Sequence, residues 1–181
     1  MARPREFDTQ LALTAAMEVF WEHGYEGASL PDLLERMKLT RGSLYKAFKD
    51  KKTLFLTVLK CYEETEVEKA AQFLTNTAIP NGWDRIMQLM NSIPQAVTQG
   101  DRRGCLLCSA AAGPASYDAE IADQVHKSLD KMHQVFTTAL GHDRLSDILL
   151  TQYAGLRLLS RSNISVEKLQ NSVTALDQLK R

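Results

Sequence analysis

Between positions 38 and 52 the chain places six basic side chains, Lys38, Arg41, Lys46, Lys49, Lys51 and Lys52, against one acid, Asp50. Cations at that density suit a polyanion such as the phosphate backbone of a nucleic acid, although a solvated helix face accounts for the charge alone equally well. The residues between the charges carry more information. Arg41 can grip the O6 and N7 atoms of guanine, and Thr40, Ser43, Tyr45 and Lys46 can hold phosphates or base edges. Gly42 costs a short helix up to ~1 kcal/mol relative to alanine. Close approach to DNA would justify it, and so would close packing of a neighbouring helix. Lys51 opens the next helix, where its ammonium and the free backbone N–H groups can clamp one phosphate together.

This charge is local. The 181-residue chain as a whole is neutral, with 22 Lys plus Arg against 22 Asp plus Glu. No apolar run reaches the ~18–20 residues of a membrane span, and "MARPREFDTQ" has no apolar segment of a secretory signal. A cytoplasmic protein is therefore expected. Three cysteines, Cys61, Cys105 and Cys108, fit a reducing compartment better than a disulfide framework. No Ser-His-Asp set, phosphate loop, paired-carboxylate motif or metal cluster can be picked out, so neither an enzyme nor a cofactor is expected.

The elements that must position the basic stretch all read as helix. Ala12, Ala15, Ala16, Val19 and Phe20 share one face of a first helix, capped by Asp8 or Thr9 and ended by Gly24. Ser29 with Asp32 resembles a capping box before a second helix, where Pro31 is tolerated in the first turn. Thr40 caps a third helix, Arg41 to Ala47, and Asp50 caps a fourth running to about Leu74. "NTAIPNG" breaks the chain at 76–82. Helices over 83–98, 118–140, 143–160 and 166–180 follow, with a short apolar one in "CLLCSAAAG". The predicted fold is all-α: an N-terminal three-helix helix-turn-helix domain (1–62) joined by a long helix to a helical domain (63–181). Two short helices around a tight turn, the second small and basic, make the helix-turn-helix arrangement.

Within residues 7–62 the resemblance is specific. "AAMEVFWEHGYEGASL" and "LTRGSLYKAFKDKKTLF" are similar to the DNA-binding domain of TetR family transcriptional regulators, with Gly42-Ser43-Leu44-Tyr45, Phe48 and Lys51 in the family's recognition-helix pattern. The resemblance implies phosphate contacts from Tyr45 and Lys51 and helix-start contacts from Ser29 and Thr40. Two positions depart: Lys38 stands where the family usually has Gly, implying a strained or differently shaped turn, and Ala47 stands where it often has His. A sequence-specific regulator of double-stranded DNA follows, expected to repress, with release by a small-molecule ligand or by thiol modification. The alternative is a helical DNA-binding or interaction protein with no effector.

The resemblance also implies a C-terminal domain that binds an effector and forms a homodimer. The apolar stripes of the last two helices fit a pairing role, among them Val166, Leu169, Val173 and Leu176. They fit the chain's own core as well. In "RRGCLLCSAAAG", Cys105 should sit at a helix N-terminus after Arg102 and Arg103, where dipole and cations favour thiolate. Gly104-Cys105-Leu106-Leu107 is similar to a motif in a subgroup of TetR-like regulators, some of which respond to electrophiles or oxidants. Cys105 is then a sensor with Cys108 as its resolving partner, or both are small apolar core residues. A disulfide inside one helical turn is expected to need local unwinding, so an adduct is the more economical modification. Trp83, Met87, Met90, Tyr117, Phe136 and Tyr153 can line an apolar ligand cavity or form plain core, and His126, Asp130 and His133 mark a metal or ligand face or a polar strip.

Overall fold

In the computed structural model residues 7–178 are described, and they form ten α-helices with no strand. Residues 1–6 of the expected first domain and residues 179–180 of the expected last helix lie outside this span. The first helix, α1 (Thr9–Gly27), starts where the Asp8 carboxylate accepts the backbone N–H groups of Gln10 and Leu11, and Gly24 breaks it at φ 73°. Helix α2 (Leu30–Met37) opens with the Ser29–Asp32 capping box. Helix α3 (Arg41–Phe48) is capped by Thr40 and runs one residue beyond the expected Ala47.

The expected long helix after Asp50 is present with one irregularity. Helix α4 (Lys51–Tyr62) passes through a π turn, Glu63–Val67, into α5 (Glu68–Thr75). One wider turn of this kind rotates the faces that follow. Leu54, Phe55, Val58 and Leu59 of α4 are buried against the N-terminal helices. The centre of that core is aromatic: the Phe55 ring lies 4.8 Å from those of both Phe20 and Tyr25.

The remaining helices are α6 (Gly82–Thr98), α7 (Leu106–Ala112), α8 (Ala119–Leu140), α9 (Ser146–Leu159) and α10 (Val166–Asp177). Helix α8 packs along α5, α6, α7 and α9 and forms the spine of this half. Three polar ties fasten it to the long helix. Lys52 contacts Asp118 at 2.8 Å and Glu120 at 2.6 Å, Glu63 accepts from Ser128 at 2.5 Å, and Lys131 contacts Glu68 at 2.9 Å. The apolar stripe of α10 is spent within the chain. Leu169, Val173 and Leu176 are buried, α10 packs on α6, and the Trp83 indole N–H donates to Asp177 at 2.7 Å. That stripe is therefore core and not a free seam, which corrects one of its two expected uses.

The break at 76–82 is held by buried Arg85. Its guanidinium donates to the carbonyls of Leu74 (2.6 Å) and Ile79, closing the end of α5. Gly82 then touches α8 so closely that a Cβ would lie 1.6 Å from the Ala139 carbonyl oxygen. Gly82→Ala must push α6 from α8, and thermal or urea unfolding should show a loss of about 1–3 kcal/mol.

Candidate functional site

Helix α3 is fixed from below and open above. Leu44 and Phe48 are buried, whereas Thr40, Arg41, Gly42, Tyr45 and Lys46 are exposed and Ser43 is partly so. The Thr40 and Ser43 hydroxyls lie 2.9 Å apart, and Thr40 Oγ1 also accepts the Ser43 N–H at 3.2 Å. The Arg41 guanidinium sits 5.8 Å from the centre of the Tyr45 ring, which keeps its fork on the outer face. A Cβ on Gly42 would meet nothing within 4 Å. Among the described residues no packed helix requires this glycine.

Both turns flanking α3 are strained. Lys38, in the position where a glycine was expected, adopts φ 55° and ψ 41°, and Lys49 adopts φ 68°. Left-handed backbone costs a non-glycine residue about 1–2 kcal/mol. Around these turns the basic residues do different things. Lys51 lies with its ammonium 4.8 Å from the centre of the Tyr25 ring at the start of α4, and burial pushes its pKa down. Lys52, counted in the basic patch by sequence, is engaged by Asp118 and Glu120, which hold it firmly protonated. Its charge braces α8 and is withdrawn from the outer face. Ser29 is exposed at the start of α2, with its hydroxyl 2.5 Å from Asp32.

The second cluster surrounds Cys105. This residue is the N-cap of α7, with extended backbone (φ −124°, ψ 129°), and Cys108 follows inside the first turn; both are buried. They border a small cavity of ≈ 40 Å³ with Trp21, Tyr62, Glu66, Met132, Tyr153 and Arg157 among its walls. The neighbouring Cys108 thiol, the Tyr62 hydroxyl and the Arg157 charge hold the Cys105 pKa below the ordinary thiol value despite burial. The same thiol contact and burial push Cys108 up. One expectation is corrected here: Arg157 of α9 supplies the cation. Arg102 instead donates to the Ser162 carbonyl at 2.9 Å, and Arg103 pairs with Glu18 at 2.6 Å and Asp101 at 2.9 Å.

Trp83, Met87, His133 and Phe136 do not line this cavity. Trp83 and Met87 are buried in α6, Phe136 stacks edge-on to Tyr153 at 6.0 Å, and His133 lies 3.0 Å from Asp147. Among the described residues no group of three His, Cys, Asp or Glu side chains can hold a metal ion. Of the residues expected to line a cavity, Tyr153 does line this one, whereas Tyr62 and Arg157 had no such role assigned from sequence. Arg157 alone left a signal there, as a lone cation within the apolar "YAGLRLL" of α9.

The segment carrying Cys105 is bolted to α1. The Trp21 indole N–H donates to the Gly104 carbonyl at 3.2 Å, and the Arg103 guanidinium lies 4.3 Å from the centre of the Trp21 ring. Arg161 donates to the carbonyls of Trp21 (2.6 Å) and Arg103 (2.7 Å).

Residues 12–58 match the model for "Bacterial regulatory proteins, tetR family". Beyond that segment, the chain is 33% identical over 138 residues to the uncharacterized HTH-type transcriptional regulator YezE of Bacillus subtilis, covering 75% of this chain and 70% of that protein. The chain belongs to the TetR family. It is also 27% identical over 176 residues to the HTH-type transcriptional repressor BdcR of Escherichia coli, covering 92% of this chain and 86% of that one. Among solved structures it resembles the TetR family regulator CifR, as a cysteine mutant with 26-bp operator DNA (TM-score 0.84, 26% identity, 99% of this chain and 100% of that chain). This TetR-family protein is a DNA-binding transcriptional regulator, and its relatives are regulators and not enzymes. No described helix is long and apolar enough to cross a membrane.

Two measurements check the site. Gly42→Ala should stabilise the fold by up to ~1 kcal/mol in chemical denaturation while weakening duplex binding, because the new methyl group fills the open face of α3. Iodoacetamide alkylation of Cys105 should rise with a midpoint below the ~8.5 of an ordinary thiol and level off above it. An unshifted midpoint means that Arg157 and Tyr62 do not favour the thiolate.

Proposed function

We propose that this regulator is a cytoplasmic homodimeric repressor that reads a two-fold operator through α3 and releases it when Cys105 is modified. The observation that carries the DNA-contact assignment is the open polar face of α3 around Gly42, with Lys51 beside it at the start of α4. Arg41 is assigned to a base edge and Tyr45, Lys46 and Lys51 to phosphates. Ser29, Thr40 and Ser43 hold the helix starts against the backbone, and Gly42 admits it. The DNA-binding unit is assigned to residues 1–62 and the effector and pairing unit to 63–181. The boundary falls where α4 enters the π turn.

Pairing is assigned to the outer face of α9. Ile148 and Leu159 are 49% and 45% exposed, and Gly155 between them has open space around it. Spacings of four, three and four residues place Ile148, Gln152, Gly155 and Leu159 along one line of the helix. A closed dimer presents two α3 helices to successive turns of one groove, about 34–36 Å apart or somewhat more. The small cavity favours thiol chemistry over a bulky neutral ligand as the effector event, since ligand pockets usually run to ~300–1,000 Å³.

Footprinting should reveal two inverted half-sites. Lys51→Ala should weaken binding to all duplexes and reduce the salt slope by about one unit, while Arg41→Ala should relax sequence preference at a cost of ~1–3 kcal/mol. An Arg41 variant that ranks operator mutants as the parent does makes Arg41 a backbone contact. Ile148→Asp should yield a monomer in sedimentation with a weakened footprint; an unchanged dimer removes the α9 assignment.

A further inference from the structure

Cys105 and Cys108 are placed for more than passive modification. We propose that they form a reversible dithiol–disulfide couple in which a small hydroperoxide is the oxidant, Cys105 attacks and Cys108 resolves. This rests on the thiol-sensing reading above and names its effector class.

Three observations carry it. The first is backbone geometry. Cys105 is outside the helix, in extended conformation, while Cys108 is in the first turn, and both side chains wall one cavity. A disulfide across two helical residues would force the turn to unwind. Here one partner is the N-cap, whose side chain swings without breaking a helical hydrogen bond. This reverses the expectation that an adduct is the easier product.

The second observation is space. The cavity beside the thiols is ≈ 40 Å³. A water molecule needs roughly 10–15 Å³ by this measure, so a molecule with two heavy atoms enters and a quinone or maleimide ring does not without opening the walls. The third is the donor set. Tyr62 of α4 lines the cavity beside Cys105. Arg157 lines the same cavity, donates Nε–H to the Tyr153 hydroxyl at 3.2 Å, and makes no ion pair with a carboxylate among the described residues. A guanidinium without a carboxylate counter-ion next to a thiol favours the thiolate and stabilises a departing hydroxide. Cys61 is buried elsewhere, 3.6 Å from the Gln10 side-chain amide, and is not a wall of this cavity.

The chemistry closes on these groups. The Cys105 thiolate attacks one oxygen of the hydroperoxide, an S–O bond forms, the O–O bond breaks, and the leaving hydroxide (or alkoxide) takes a proton from water. Cys108 then attacks the sulfenic sulfur. The S–S bond forms, the S–O bond breaks, and the hydroxyl leaves as water with the Cys108 proton. Two thiols are oxidised and one peroxide is reduced; a dithiol reductant restores the start.

The test is a titration of the full chain with hydrogen peroxide, followed by thiol blocking, trypsin and mass spectrometry. Both thiols fall in one peptide, Gly104–Lys127. That peptide should lose two hydrogens and resist alkylation, and dithiothreitol should reverse both changes. Cys108→Ser should stop at a sulfenic acid on Cys105, read as one oxygen added to the same tryptic peptide. Arg157→Met should slow oxidation roughly tenfold, the effect of about one pKa unit, with partial rescue by Arg157→Lys. Tyr62→Phe gives a second slowed variant if Arg157→Met fails to fold. Thiols that remain alkylatable after peroxide, a cross-link between chains, or Cys61 oxidised first overturns the couple. Operator binding followed in parallel separates the two readings. A disulfide that leaves DNA bound sinks the sensing reading while the couple stands. If methyl methanethiosulfonate on Cys105 releases DNA but peroxide forms no disulfide, sensing stands and the couple falls.

Discussion

The close approach of Gly104 to α9 is the contact on which the rest of the molecule depends. A Cβ at this position would lie 2.2 Å from the Arg157 carbonyl oxygen, and its φ of 68° is one that only glycine adopts easily. The tight fit brings the loop before α7 within reach of both halves. The Gly104 carbonyl accepts from Trp21 of α1, while Arg161, just beyond α9, ties the carbonyls of Trp21 and Arg103 together. Cys105 is the next residue. Its sulfur is therefore one peptide unit from the joint between the DNA-binding helices and the C-terminal bundle. Tyr62 of α4 walls the same cavity. The Gly104 joint meets α1 and the cavity beside Cys105 meets α4, the two helices that carry α2 and α3.

Electrostatics sort the basic residues around this frame. The chain is neutral overall, so positive potential has to be local. Lys52 serves the joint between α4 and α8, and Lys51 beside it makes no ion pair among the described residues and rests over Tyr25. Adjacent residues of a helix point about 100° apart, and the neighbours that each one meets decide its role. Surface ion pairs are individually weak. The pairing of Lys52 with two acids at one place gains from sharing a half-buried site next to the Asp118 cap of α8.

Much of this was legible in sequence. The caps Asp8, Ser29, Thr40 and Asp50, the break at 76–82 and the all-helical class follow from local chemistry that tertiary packing does not override. The recognition helix was legible because its residues act where they stand. The thiol site was only half legible. Cys105 and Cys108 are neighbours in sequence, but Tyr62, Tyr153 and Arg157 arrive from α4 and α9, and nothing local announces their meeting. The nearest sequence cations, Arg102 and Arg103, were assigned to the thiol and in fact hold the loop. Periodicity likewise could not say which apolar stripe faces inward: that of α10 covers α6, while α9 keeps Ile148 and Leu159 outside.

The central claim is mechanical continuity from Cys105 to the DNA-binding helices. Hydrogen exchange measured with Cys105 reduced and then blocked by methyl methanethiosulfonate, in a Cys61→Ser, Cys108→Ser background, tests it most directly. Transmission through the Gly104 joint requires faster exchange at the amides of Trp21–Gly27 and of α4 near Tyr62, with α10 unchanged. Exchange that quickens only within α7, leaving α1 and α4 at their reduced-state rates, would contradict it.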